Sequence, residues 1–169
     1  MDSLAAAKTK GQKAEAPLPQ MFSLKMPYVK QGRTKSILAH TLDMEVRVMV
    51  NAESDENEYH THLDIDHTFI VLEGELTIID PQEKKYVVKP NQGILIPKGA
   101  YYRYLVSASE NTVMLRISAK VRDYVPRPGA SNKVRAVRLD GTELGSMEDH
   151  KARAPVLTGK FFAESSGLD

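Results

Sequence analysis

Three of the five histidines in this 169-residue chain fall within eight positions, in the stretch Tyr59-His60-Thr61-His62-Leu63-Asp64-Ile65-Asp66-His67. Imidazole binds transition metals through the lone pair of its neutral ring. His60 and His62 are two apart, so on a strand they share a face, with backbones roughly 6–7 Å apart. Such a pair can converge on one ion. His67 opens the apolar run Phe69-Ile70-Val71-Leu72, which closes at Gly74. A hairpin-like return over the polar bend at Asp64 and Asp66 would bring His67 beside the first two. Three neutral nitrogens on rigid strands would form a site for one divalent transition metal with open positions. With no carboxylate in the set, the ion keeps its full charge and acts as a strong Lewis acid. That suits chelating anions such as enolates, 2-oxo acids or catechol-like diols. Asp66 competes as third ligand, but it lies on the opposite strand parity from His67 and fits better as a solvent-facing or outer-sphere group.

The elements that must position these residues read with period two. Ser36–Leu42 and Met44–Val50 alternate as strands: Val46, Val48 and Val50 share one face, and Glu45, Arg47 and Met49 the other. Strands follow at Glu75–Ile79, Lys85–Val88 and Ile94–Ile96, the last expected to be buried. Asp80-Pro81-Gln82-Glu83 and Pro90-Asn91-Gln92-Gly93 are the turns between them, since Pro presets a turn dihedral and Asp favours a turn start. Tyr102–Val106 and Thr112–Ile117 are expected to pair around Ser107–Asn111. Many short strands at near-even spacing predict an all-β antiparallel sandwich or small barrel. Residues 1–20 read as a flexible tail, 21–120 as the barrel and 121–169 as an extended arm anchored by Phe161 and Phe162, because prolines and glycines interrupt every pattern there.

Composition narrows the function. A net charge of +1, with both signs scattered, gives no basis for binding nucleic acid or an anionic membrane. The absence of cysteine excludes disulfides and thiolate ligands and agrees with a cytoplasmic location. No run is long and apolar enough to span a bilayer, and the N-terminus lacks the apolar core of a secretory signal. Phe69–Leu72 is apolar on both parities, so both faces need cover. A homodimer would supply it, and the C-terminal arm is the alternative within one chain.

At these positions the chain resembles the cupin superfamily, whose first motif is G-x5-H-x-H-x3–4-E-x6-G. His60 and His62 stand at the two His positions, His67 at the Glu position and Gly74 at the closing Gly. In the second motif, G-x5-P-x-G-x2-H-x3-N, Pro97 and Gly99 match and Tyr102 stands where the third His belongs. The resemblance covers residues 35–118 and implies a cupin-type double-sheet jelly roll. Ser54 and Asn91 replace motif glycines, and Val106 replaces the final Asn. The resemblance makes Tyr102 a fourth ligand beside His60, His62 and His67, or a catalytic base. Its alternative is a barrel-core aromatic. Cupins with three histidines resemble acetylacetone and cysteine dioxygenases in ligand type, and those with a site tyrosine resemble dimethylsulfoniopropionate lyases. The metal expected is iron first, with manganese, nickel, copper or zinc as alternatives.

Phe69 and Val71 share the parity of His67, and Tyr104 that of Tyr102, so they are the expected apolar walls of a small-molecule pocket. Arg47 and Arg116 are candidates to hold a substrate carboxylate through the guanidinium fork. The first expectation is an iron-dependent dioxygenase acting on a small carbonyl, enol or aromatic compound. The second is a metal-assisted lyase or isomerase with Tyr102 as base. The third is a small-molecule-binding cupin without catalysis.

Overall fold

The computed structural model describes residues 17–52, 58–107, 110–120, 136–144 and 153–164. Residues 1–16 of the expected tail, Ser54 and most of the segment joining residues 120 and 156 lie outside them. The strands are β1 (Met26–Gln31), β2 (Arg33–His40), β3 (Met44–Asn51), β4 (His60–His62), β5 (Ile65–Glu73), β6 (Leu76–Ile79), β7 (Lys85–Val88), β8 (Gly93–Ile96), β9 (Arg103–Val106), β10 (Thr112–Lys120), β11 (Ala136–Arg138), β12 (Glu143–Leu144) and β13 (Val156–Phe162). Among the described residues no helix is long and apolar enough to cross a membrane.

The strands build an all-β antiparallel jelly roll. One sheet runs β2-β3-β10-β5-β8. Facing it are β7-β6-β9 and β12-β11-β4, joined where Tyr102, just before β9, bridges His60 of β4. The backbone bonds of that bridge run both ways, Tyr102 N to His60 O at 3.0 Å and His60 N to Tyr102 O at 3.1 Å.

Register fixes what faces the interior. Three rows of side chains cross the first sheet on its inner face. One is Val71–Met114–Met49, the next Phe69–Arg116–Arg47, and the third His67–Ser118–Glu45. Because side chains alternate along a strand, every other residue of β5 (Ile65, His67, Phe69, Val71) is buried in this interior. Met49, Phe69, Val71, Leu76, Ile78 and Met114 join Tyr102 and Tyr104 in one apolar cluster between the sheets.

The alternate residues face the other way. Val48, Val50 and Val113 pack with Met26 and Val29, with Leu72, Leu115 and Phe162 against them. Strand β13 pairs antiparallel with β1 to make the ribbon that covers this outer face. Of the outward-facing residues in Phe69–Leu72, Leu72 packs into this cluster. The described parts of the arm are strands: β11 pairs with β4, and β13 with β1.

Three local expectations are corrected. Strands β9 and β10 do not pair with each other. Strand β9 pairs with β6, and β10 lies between β3 and β5, so the chain crosses from one sheet to the other after Val106. Strand β8 is an edge strand, not a buried one, and Leu95 is 62% exposed. His67 also does not return by a hairpin, because β4 and β5 belong to different sheets and the bend at Leu63–Asp64 carries the chain between them. Two motif positions explain themselves. Gly74 has φ of 72°, and a Cβ there would lie 2.7 Å from the Asn111 carbonyl oxygen. Asn91, in place of a motif glycine, keeps the left-handed turn with φ of 66°.

Candidate functional site

His60 and His62 come from β4, and His67 from the start of β5. The bend between the strands brings the rings together. Their centroids are 5.3 Å apart for His60 and His62, and 4.3 Å for His62 and His67. The Tyr102 ring lies 4.6 Å from His60 and 6.3 Å from Phe69. His60 and His67 are almost fully buried, and His62 partly so.

Hydrogen bonds assign the ring protons. His60 Nδ1 is 2.9 Å from the Glu58 carbonyl oxygen, which can only accept, so Nδ1 carries the proton and the lone pair sits on Nε2. At His67, the Arg116 Nη2 lies 2.8 Å from Nε2. Guanidinium can only donate and faces both ring nitrogens, with Nε 3.4 Å from Nδ1; the shorter contact, at Nε2, puts the lone pair there. The His67 Nδ1–H then donates to Ser118 Oγ at 3.0 Å. His62 Nδ1 is buried with no hydrogen-bond partner. Burial first, and then Arg116, hold His62 down to about 3 and His67 to about 2. Both rings are therefore neutral near pH 7, the form a metal requires. Burial pushes the Tyr102 phenol up to about 12, with Arg116 acting against it.

The donor set suits a divalent transition ion in atom type and tautomer, and the buried, unpartnered His62 nitrogen is what such an ion would satisfy. Arg116 interferes with the third donor. Among the described residues no three His, Cys, Asp or Glu side chains form a ready metal cluster, and the Arg116 guanidinium holds the His67 lone pair.

Next to the histidines is a cavity of about 480 Å³, lined by His62, Arg47, Arg116 and Ser118, with Ile37, Leu42 and Met44 among its apolar walls. The two expected anion-binding arginines do meet there, side by side in register on β3 and β10. Arg47 Nη2 pairs with Glu45 at 2.7 Å, while its Nε is buried with no partner. The expected walls Phe69, Val71 and Tyr104 instead lie in the apolar cluster deeper between the sheets. Asp66 serves the backbone, accepting from Lys98 N at 2.8 Å.

Sequence reasoning missed Lys35 and Ser118. Lys35 is held below its usual range by burial and then by Arg33, Arg47 and Arg116, with Glu45 opposing. Arg33 and Lys35 thus follow Arg47 and Arg116 along the same face, opposite Asn51 and Met49 in register. Residues 33, 35 and 37 lie on one parity of β2, which was a readable signal, but only the pairing with β3 shows which parity faces inward. Like charges opposed across strands destabilise a sheet unless something of opposite sign joins them.

A double-sheet antiparallel barrel with a histidine cluster at one end of its interior is the architecture of a small-molecule β-barrel site. The cupin domain family model matches residues 44–118 of this barrel. The uncharacterised protein YdbB of Bacillus subtilis (strain 168) is 39% identical over 75 residues, which is 44% of this chain and 65% of that relative's length. A Ralstonia eutropha JMP134 protein, provisionally described as a mannose-6-phosphate isomerase, shares the fold at a TM-score of 0.54 and 15% identity, over 61% of this chain and all (100%) of that one. KdgF from Halomonas sp. aligns at a TM-score of 0.48 and 18% identity, over 54% of this chain and 82% of that one.

Proposed function

We propose that this cupin is a mononuclear metal-dependent enzyme acting on a small organic anion. The first reaction class is oxygenation of a carbonyl, enol or aromatic compound, with iron as the metal. The observation that carries this reading is the tautomer pattern. His60 and His67 each have Nδ1 within hydrogen-bond distance of an oxygen, which leaves Nε2 as the nitrogen that would face an ion. His60, His62 and His67 would hold the ion, with Tyr102 beside His60. A divalent ion bound there supplies Lewis acidity and open positions for small ligands.

The chain's own residues do the rest. Arg47 and Arg116 draw an anionic group to the cavity floor and fix its orientation. Ile37, Leu42 and Met44, at the exposed rim of the cavity, would contact the apolar body of the ligand. Tyr102, whose ring lies 4.6 Å from His60, would serve as a further ligand or as a base once an ion beside it lowers its phenol pKa.

The test is elemental analysis of protein purified without added metal, followed by oxygen consumption with iron. About one metal per chain, lost in the His60→Ala, His62→Ala double variant, supports the reading. Metal-free protein that fails to take up iron, manganese, nickel, copper or zinc ends it. Tyr102→Phe should keep most of the metal and lose turnover or change the metal spectrum. The Arg116 contact on His67 favours a second reading, a non-catalytic cupin that binds a small anion, and metal-free protein that still binds anions would select it.

A further inference from the structure

We propose that Arg116 makes metal loading conditional on an anion, so that the two ligands assemble the site together. The inference rests on the metal reading above. The Arg116 guanidinium lies against the His67 ring, with Nη2 2.8 Å from Nε2 and Nε 3.4 Å from Nδ1. A ring nitrogen has one lone pair in the ring plane, so a metal and a guanidinium cannot both use Nε2. They also repel each other as cations. While Arg116 stays there, the third donor is blocked.

The same guanidinium faces an alternative partner. It lines the cavity beside Arg47, its direct neighbour across β3 and β10. Arg47 has a buried Nε donor with no partner. An anion in the cavity can accept from that Nε and from Arg116, relieving a row of facing positive charges. A charge-assisted bond to a carboxylate is stronger than one to a neutral imidazole. Arg116 then turns from His67 to the anion, and Ser118 continues to hold the His67 ring in place through Nδ1. His67 is released with its lone pair intact. Binding is reciprocal: the factor by which the anion tightens the metal equals the factor by which the metal tightens the anion. Metal alone loads weakly, and a neutral ligand of the same shape does not help it.

Cobalt(II) and benzoate are the probes, with metal affinity read by calorimetry and the cobalt ligand-field spectrum on the full chain. Wild type should bind cobalt about tenfold more tightly, or better, in saturating benzoate. Arg116→Met should bind cobalt that tightly without benzoate and respond little to its addition. Adding His67→Ala to Arg116→Met should remove the gain. If wild type and Arg116→Met bind cobalt equally and benzoate changes neither, the inference is overturned while the metal reading stands. If neither binds cobalt with or without benzoate, the metal reading falls and the inference with it. Should Arg116→Met fail to fold, the wild-type titration decides alone: tightening by benzoate supports the coupling, and no change overturns it.

Discussion

Strands β3 and β10 show two faces with opposite designs. Outward, Val48, Val50 and Val113 are fully buried under the β1–β13 ribbon, and the packing is apolar. Inward, the same strands present Arg47, Glu45, Arg116 and Ser118 toward a cavity and the histidines. Backbone pairing serves both faces equally, so the difference lies in side chains alone. The outer face removes hydrocarbon from water at roughly 25 cal/mol per Å². The inner face gathers like charges and an unpartnered donor, an arrangement that lowers stability and that a bound anion would offset. One sheet thus carries apolar packing on one face and a charged cavity on the other.

The largest effect should come from breaking the outer face. Val48→Asp places a carboxylate where Val48 is fully buried and surrounded by apolar side chains. The expected loss is about 4 kcal/mol or more, read as a collapse of the urea midpoint. A variant that unfolds at the wild-type midpoint would mean that the ribbon does not cover this face.

The inner face should instead reveal itself through pH. His62 and His67 are held at about 3 and about 2, against roughly 6.5 in an unfolded chain. Their folded-state values are depressed, so between these limits the unfolded chain binds more protons and stability rises with pH. The contribution is complete above pH ~6.5 and is lost as pH falls toward ~3, by at most roughly 1.4 kcal/mol per group per unit. In chelator-treated protein the urea midpoint should fall between pH 7 and 5, and His67→Ala should flatten the slope. An identical slope in that variant would count against burial of a neutral His67.

How far the sequence could reveal this division depends on the strand. In β3 and β5 the alternation is strong, so Val46, Val48 and Val50 were separated from Arg47 and Met49, and His67 was grouped with Phe69 and Val71. The motif spacing located the histidines and Tyr102 as well. What stayed hidden depends on pairing. Strand β13 is largely exposed and carries Gly159 at φ of 83°, so its pattern shows no period. The crossing between β9 and β10 looks like a hairpin loop in one dimension. The contact of Arg116 with His67 arises from neighbouring rows of two strands, a distance that residue spacing does not encode.

Arg47 separates the faces at smaller magnitude. Arg47→Met keeps the stem and removes the charge facing Arg116. Stability should stay within about 1 kcal/mol of wild type, because a like-charge opposition is lost along with the exposed-side pair to Glu45. Benzoate affinity should fall by about tenfold, the scale of one charge-assisted bond. Unchanged benzoate binding would remove Arg47 from the anion site.

Ser118, whose stability effect is equally small, separates packing from positioning on the inner face. Its Oγ accepts from His67 Nδ1 at 3.0 Å, and it lies directly opposite His67 in the β5–β10 register. Ser118→Ala removes one oxygen from a site 9% exposed and leaves the backbone pairing intact. Loss of one such bond should cost about 1 kcal/mol. A residue that only filled space would have no further effect. If Ser118 holds the His67 proton on Nδ1, its removal lets the ring turn or change tautomer, and the lone pair no longer stays on Nε2. Cobalt affinity should then fall by roughly tenfold or more, the usual scale for losing the partner that orients a metal-binding histidine. Ser118→Thr keeps the hydroxyl and should restore most of that affinity, even where the added methyl lowers the urea midpoint. If alanine lowers stability and leaves cobalt binding unchanged, Ser118 belongs with the packing residues, and His67 is oriented by its neighbours His62 and Arg116 instead.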